Sequence, residues 1–589
     1  RARDRCGDPQ AATYRNMQLH RQPASLGAVH LRGGAAPALP RPQRERLSVT
    51  APSLSPWAVA DQTAGQGAGQ GCVSRRSGAC TGRASSGRRA AAAAAATVAT
   101  ARRGVVCATA AAEASSSTAS ASGLYAGKKA VVVGAGPAGS TAAMYLAREG
   151  FEVDVYEKRA EPAKEGGVDN GRAYIIILIP RGKAALEELG VELPTDPHFL
   201  TLGSVRHPPS GKVSVTKEAG NVTWSRSDLA QFLINEARSR YPRQIRFHFG
   251  MSVEMIDLVY KQAYMVPASD EGSRQSRTAI AYDLLVGADG AASQMRAELE
   301  SADKDFKVDI SDSGREYKVY LNLPGDIEPE EFRGKDGSTL HLWTATNDPF
   351  MSFTAHRNPD DTYSGTFSMR TGDHANVRSP SHYEHLLTTR FAGIPPAWVP
   401  AIAEQVWTRQ PSSAGKRVRC SRLSAPSVVL LGDAAHAVTP VFGQGANSSL
   451  ESAKVLGHAL RAAAGDLKAV PNTYDEMRRA DAHGLYEIDR KAFSFFSRKG
   501  PLDPDFLQLL SHVVLGTVLS KLVPFLYGDK PKLLQLGTAP YGEILAAVQR
   551  DAAAAACIAA TVIGVVVFKL GSWLLPKATV ALRSAMGAA

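Results

Sequence analysis

Lysine is missing from the first 121 residues, and acidic residues are scarce there. That stretch holds 16 arginines, no lysine and five Asp or Glu, so it carries +11 of the formal +12 charge. The rest of the 589-residue chain is close to neutral. The basic balance therefore does not describe a folded basic surface, and no nucleic-acid partner is expected. No basic segment leads into an apolar core near the start, which disfavours a secretory signal. Cysteine is sparse as well. Four of the six (Cys6, Cys72, Cys80, Cys107) lie in the leader, leaving Cys420 and Cys557. Two distant cysteines supply neither a disulfide framework nor a zinc site, and no metal centre is expected. Internal repeats are absent.

What the leader does contain is Arg, Ser and Ala, with an unbroken run from Ala90 to Ala96. The segment Arg102-Arg103-Gly104-Val105-Val106-Cys107-Ala108 resembles a plastid processing site. Residues 1–121 are expected to be an organelle transit peptide, directed to a plastid (chloroplast) membrane rather than a mitochondrial one. A disordered tail, or a true start at Met17, is the alternative. At the other end, Ala552 to Phe568 is 17 residues without a charge. Lys569 interrupts, and Leu570 to Leu575 continues the apolar run to Pro576. A bilayer core needs roughly 20 apolar residues. The stretch 552–575 is long enough if Lys569 snorkels to the interface. A membrane anchor is expected there, with a buried or interfacial helix as the alternative.

Between these ends, ordered structure should start near Gly127. The strand Lys129-Ala130-Val131-Val132-Val133 runs into Gly134-Ala135-Gly136-Pro137-Ala138-Gly139. A helix should follow through Leu146 and stop at Gly150, before a second strand ending at Glu157. Gly134 permits the tight turn, Gly136 lets a pyrophosphate approach the backbone, and Gly139 lets helix and strand pack closely. The helix N-terminus would face the phosphates. Glu157, 23 residues after Gly134, is placed to accept from a ribose. The flanking elements make this a dinucleotide site, without separating NAD from FAD.

Two further apolar strands end in Gly and Asp. One is Asp283-Leu284-Leu285-Val286-Gly287-Ala288-Asp289-Gly290, followed by Ser293 and Arg296. The other is Val428-Val429-Leu430-Leu431-Gly432-Asp433-Ala434-Ala435-His436, followed by a turn with Pro440, Gly443 and Gly445. Ligands of open α/β sheets bind at the carboxyl ends of strands, so three such ends could meet one extended cofactor. The turn glycines allow close backbone approach, and the next helix, with Leu450, Ala453, Gly457 and Leu460 on one face, presents a positive N-terminal end. His436 is read as packing beside that turn rather than as an acid or base. No second G-x-G-x-x-G is present.

The trio of motifs resembles the FAD-dependent aromatic hydroxylases, the single-component flavin monooxygenases, and within them the kynurenine 3-monooxygenase branch. Gly171-Arg172, Pro180-Arg181-Gly182, Leu340-His341-Leu342-Trp343, Gly432 to Asn447 (GDAAHAVTPVFGQGAN) and Val548-Gln549-Arg550 carry that likeness. It spans roughly Lys128 to Phe568. The resemblance implies an α/β fold: an FAD-binding Rossmann-like domain, a β-rich substrate domain and a helical C-terminal part. The corresponding spans are 127–300 (with a substrate-side insert about 200–225), 301–420, 421–470 and 471–550, followed by the anchor. It implies FAD contacts at Gly134, Gly136, Pro137, Ala138, Gly139, Glu157, Arg172, Arg226, Asp289, Gly290, Gly432, Asp433, Gly443, Gly445, Ala446 and Asn447. Among these, Asp433 would contact the ribose, and Asp289 would serve the pyrophosphate and nicotinamide handling. It further implies NADPH (or NADH) and O2 as co-substrates, with oxygen transferred to an electron-rich ring, and no separate nicotinamide domain. The catalytic chemistry is the flavin's, so no catalytic side chain is implied.

The branch's carboxylate clamp is altered. Ser204 stands where an arginine is implied, and the helical Tyr-Asn-Tyr position reads Lys491-Ala492-Phe493. Arg206, Lys491 and the retained Tyr527 are the candidate substrate contacts, because a buried carboxylate needs a charge-assisted partner. The substrate is either a small aromatic or lipid-like. The alternatives within this fold are a plastid isoprenoid reductase and a lipid epoxidase. A flavin-bound protein without catalysis is the remaining reading. The W-x-W-x-I-P signature of flavin halogenases is absent.

Overall fold

A computed structural model describes residues 123–161, 175–218, 220–270, 276–497, 503–522, 524–527 and 532–586. The chain opens with β1 (Lys129–Val133), α1 (Pro137–Arg148), β2 (Glu152–Glu157), β3 (Ile175–Leu178) and α2 (Pro180–Glu187). Next come β4 (Thr201–His207), β5 (Ser214–Lys217), β6 (Val222–Ser225), α3 (Arg226–Arg240), β7 (Ile245–Phe249), β8 (Met251–Asp257), β9 (Gln262–Pro267), β10 (Thr278–Ala281), β11 (Leu284–Gly287) and α4 (Gln294–Ala302). The middle holds β12 (Val308–Asp312), β13 (Arg315–Leu323), β14 (Ser338–Thr344), β15 (Ser352–Arg357), β16 (Tyr363–Arg370), α5 (Pro380–Arg390) and α6 (Trp398–Thr408). Then follow β17 (Ser412–Ser413), β18 (Lys416–Cys420), β19 (Ser424–Ala425), β20 (Val428–Leu430) and α7 (Asp433–His436). The chain ends in α8 (Gly445–Ala462), α9 (Val470–Ser497), α10 (Pro504–Leu522), α11 (Pro524–Tyr527) and α12 (Tyr541–Met586).

Two sheets organise this α/β fold. The first has the order β19-β20-β11-β1-β2-β7. Its strands β20, β11, β1, β2 and β7 are parallel neighbours. Parallel strands are covered on both faces, which explains why β1 and β11 read as unbroken apolar runs. Val131, Val132, Leu284 and Leu285 are buried, as are Met144, Leu146, Leu456 and Leu460 from α1 and α8. Gly150 takes φ +99, where a glycine ends the first crossover helix at low cost.

The second sheet has the order β17-β13-β16-β15-β14-β4-β5. Its residues alternate, as a sheet with two different faces requires. Trp343, Phe353 and Phe367 point to one face, where they pack with Tyr383 and Leu387 of α5 and Trp398 and Ile402 of α6. The opposite face carries Leu340, Leu342, Thr354, Thr366 and Arg206, all only partly buried. β4 and β5 reach this sheet from within the first nucleotide-binding segment, whereas β6 pairs with β3. The helical part is dominated by α12, 46 residues long, which passes Lys569 and Pro576 without a break.

Candidate functional site

The first turn follows from local packing. Gly134 has φ +102, and a Cβ there would lie 2.4 Å from the Ala288 carbonyl oxygen. At Gly139 a Cβ would lie 1.9 Å from the Gly134 carbonyl oxygen. Both positions exclude any side chain, as expected for a tight turn packed between helix and strand. Gly136 differs. Its backbone is extended (φ −69), and a Cβ there would meet nothing within 4 Å. The Glu157 carboxylate accepts the Ala135 N–H at 2.9 Å and the Arg159 N–H at 3.0 Å, which holds it beside the turn.

The second and third turns sit next to the first because their strands do. The Ala288 N–H donates to the Val133 carbonyl at 2.8 Å, and the Leu431 N–H to the Gly287 carbonyl at 2.9 Å. Asp289 turns inward. Its carboxylate accepts from the Ser293 hydroxyl at 2.6 Å and the Met295 N–H at 3.1 Å, capping α4. Burial pushes its carboxyl above the ordinary range. What this turn leaves unfilled is Gly290, whose Cβ would meet open space. Arg296 joins the second turn to the third, donating to the Ala291 and Ala434 carbonyls at 2.8 Å each. Gly432 is packed on α1, where its Cβ would lie 2.9 Å from the Ala138 Cβ. Loss of water raises the Asp433 carboxyl, against the pull of the Arg226 and Arg296 guanidinium groups. Arg226 starts α3, whose cap Ser225 accepts from the Asp228 N–H at 3.1 Å.

The turn after His436 is fixed from several sides. Asn447 is fully buried and its side chain is engaged with backbone. Its amide donates to Ile177 and Gly443 carbonyls at 2.9 and 3.1 Å, and its oxygen accepts from Ile179 N–H at 3.1 Å. Tyr541, the first residue of α12, donates to Gln444 Oε1 at 2.8 Å. Between these anchors Gly443 and Gly445 face open space, with Ala446 half-buried beside them. Gly445 lies outside the left-handed region, so neither backbone nor packing explains glycine there. His436 is buried, and its Nε2 pairs with Ser452 at 2.7 Å. Burial brings its pKa down to about 3. It is a neutral packing residue, in line with the reading from sequence.

Residues 128–487 match the family model described as "FAD binding domain". The kynurenine 3-monooxygenase of Salinispora tropica is 30% identical over 375 residues, covering 62% of this chain and 76% of that protein. That of Salinispora arenicola is 28% identical, covering 72% and 91%. Among solved structures, Pseudomonas aeruginosa PqsL in complex with 2-aminobenzoylacetate aligns with a TM-score of 0.50 at 18% identity, covering 63% of this chain and 96% of that one. This last likeness concerns the fold alone. The chain is an FAD-dependent monooxygenase of the aromatic hydroxylase family.

In this monooxygenase the glycines divide into two groups. Gly134, Gly139 and Gly432 are glycine because neighbours press on them. Gly136 and Gly445 line open space at the starts of α1 and α8, neither of which has a side-chain cap. A cradle of uncapped helix starts and unfilled glycines suits a large anionic cofactor, so the residues fit FAD. Arg172 lies outside the described residues. Tyr527 falls in α11, and its side chain is likewise outside them.

On the substrate side, Lys491 is buried and donates to Asp505 at 3.0 Å and Gln508 at 2.7 Å. It ties α9 to α10. Arg206 is on the sheet face opposite α5 and α6, and burial lowers its pKa. Ser204 is two residues away, hence on the same face. A shift of two positions moves the guanidinium along the strand without reversing it.

Sequence reasoning missed the supports of the third turn. Arg181 is buried with its guanidinium 3.9 Å from the Tyr541 ring centre. It pairs with Glu451 and donates to the Leu536 and Ala539 carbonyls. Arg478 reaches Glu451 from α9 at 2.5 Å and donates to Ser452 and Ser448 at 3.0 and 2.9 Å. Arg181 lies in one of the segments that carry the family likeness, but its partners Glu451, Leu536 and Ala539 are some 270 or more residues away.

Proposed function

We propose that this chain hydroxylates an aromatic substrate related to kynurenine, using NAD(P)H and O2, on a membrane of an organelle. The observation that carries the reading is the meeting of three strand ends of one parallel sheet around unfilled glycines. Bound FAD supplies the redox and oxygen-activating chemistry. Gly136, Pro137, Ala138 and Gly139 at the start of α1 receive its pyrophosphate, with the helix end favouring the negative charge. Glu157 accepts from the adenosine ribose. Asp433 serves the other end of the cofactor, with Arg226 beside it. Backbone at Gly290, Gly443, Gly445, Ala446 and Asn447 lies against the flavin side, since the Asp289 and Asn447 side chains are already engaged. The uncapped N-terminus of α8 would favour negative charge on a flavin held there.

The face of the seven-stranded sheet opposite α5 and α6 forms the substrate wall in this reading. Leu340 and Leu342 give an apolar surface for an aromatic ring, and Arg206 gives a carboxylate partner. Relatives named kynurenine 3-monooxygenase support that substrate class. The apolar part of α12 anchors the enzyme: a helix spanning Tyr541–Thr579 has a window of mean hydropathy 2.3 that is wholly unburied. The Arg-rich leader supports import into a plastid.

Stopped-flow measurement of NADPH oxidation, with product analysis, tests the reading. Kynurenine or a related aromatic acid should stimulate oxidation and yield a hydroxylated product. Stimulation by polyprenyl lipids alone would transfer the chain to the lipid-modifying alternative. A leader–reporter fusion that stays in the cytosol would reject the plastid assignment.

A further inference from the structure

α10 is built inside out. Its buried face presents Leu509, His512, Gly516 and Ser520. Its exposed face presents Leu507, Val514, Val518 and Leu522, between 42% and 71% accessible. A water-facing helix arranges its residues the other way, with the apolar stripe toward the core. Small and polar residues toward the protein, with branched apolar ones outward, is the pattern of helices bordered by lipid. Phe525 of α11, 86% accessible, extends the same apolar surface.

The position of this stripe says what covers it. His512 at the centre of the buried face bonds Asp551 of α12 at 2.7 Å. Asp551 is the residue immediately before the uncharged run that starts at Ala552. The middle of α10 is therefore level with the point where α12 becomes apolar and exposed. From Ile558 onward α12 shows Val562, Ile563 and Phe568 to the outside. The contact sets the exposed stripe of α10 at the same level as the start of the exposed apolar run of α12. Lys521, exposed at the end of the stripe, is placed to extend its ammonium toward headgroups.

We propose that α10 lies on the bilayer that α12 crosses, with the Leu507–Leu522 stripe and Phe525 sunk into the boundary between headgroups and acyl chains. This rests on the reading of α12 as the anchor. It makes the attachment a surface rather than a single tether, and it fixes the helical part at a set depth. A helix of 19 residues is about 28 Å long, so the contact restrains tilt as well as distance.

The test uses the full-length holoprotein in phosphatidylcholine/phosphatidylglycerol vesicles. Every cysteine except buried Cys420 is replaced by serine. Nitroxide labels are placed singly through Val518→Cys, Ile563→Cys and Val259→Cys, with flavin absorbance confirming the fold of each. The 518 and 563 labels should exchange accessibility to an aqueous nickel reagent for accessibility to oxygen when vesicles are added, with 518 shallower. The 259 label should not change. A lipid-buried 563 label with 518 still in water overturns the proposal and leaves the anchor standing. A 518 label reached by neither reagent also overturns it, because protein then covers the stripe. If 563 remains in water too, the anchor reading fails and this inference falls with it.

Discussion

The Tyr541 hydroxyl donates to Gln444 Oε1 at 2.8 Å, so the first residue of the longest helix holds the turn that begins α8. Gln444 in turn donates to the Phe442 carbonyl at 2.9 Å. Tyr541→Phe keeps the ring under Arg181 and removes only the donor. A buried acceptor left without its partner costs about 1–3 kcal/mol. The variant should unfold at lower denaturant and release FAD more readily. Equal unfolding midpoints and equal flavin retention in both proteins would show that this bond does not hold the turn.

Glycine substitutions should separate folding from cofactor binding. Gly139→Ala places a methyl group into the Gly134 carbonyl, and backbone there cannot give way cheaply. It should lose soluble expression or fall by about 1–3 kcal/mol or more, the range for overpacking a core. Gly136→Val and Gly445→Val act at positions where a Cβ would meet nothing within 4 Å. They should keep the unfolding midpoint of the flavin-free protein while losing the yellow cofactor. Normal flavin content in both would remove the cradle assignment.

This contrast also marks what a sequence can disclose. The turn at Gly134, the helix stop at Gly150 and the carboxylate at Glu157 depend on residues a few positions apart or on one crossover unit, and periodicity exposes them. Asn447 ends a recognisable run, but the engagement of its side chain with backbone is not legible there. Its partners Ile177 and Ile179 lie some 270 residues earlier, beyond the reach of any local pattern. The pairing of Lys491 with Asp505 is equally hidden, because it arises from the way α9 and α10 cross. The reversed polarity of α10 is visible only when the buried face is known, since apolar residues surround the whole helix.

Acid should destabilise the fold. Burial brings the pKa of His436 down to about 3 and that of His374 to about 4. Below the ordinary imidazole value near 6.5 the unfolded chain takes up protons that the folded chain refuses. Stability therefore falls as pH drops from about 6.5 toward 4, by at most about 1.4 kcal/mol per pH unit for each histidine. Asp489 acts in the opposite sense, because burial raises its carboxyl to about 6 and the folded state keeps that proton longer. Asp289 and Asp433, raised by burial, act in the same sense as Asp489, whereas His207 and His356, brought down to about 4, add to the loss, so the depressed histidines set the net fall below pH 6. Urea midpoints at pH 7.5, 6.5 and 5.5 read this directly, and His374→Gln should flatten the slope. A midpoint unchanged over that range contradicts the neutral, buried state of these rings.

Arg206 and Lys491 should respond in opposite ways. Arg206 lies on the sheet face opposite α5 and α6, and Lys491 is paired with Asp505 between α9 and α10. With a substrate that carries a carboxylate, Arg206→Ala should raise KM roughly 10- to 100-fold, the equivalent of losing one charge-assisted hydrogen bond. The change in kcat should be smaller, since the reacting ring is held by apolar contacts. Arg206→Lys should recover part of the loss, because it restores charge without the planar fork. Lys491→Met should leave KM alone and lower stability by about 1–3 kcal/mol, because the Asp505 carboxylate loses the ammonium that donates to it at 3.0 Å. A KM that moves with Lys491 and ignores Arg206 would reverse the two assignments. A KM that ignores both, with catalysis intact, would show that the substrate has no carboxylate to hold.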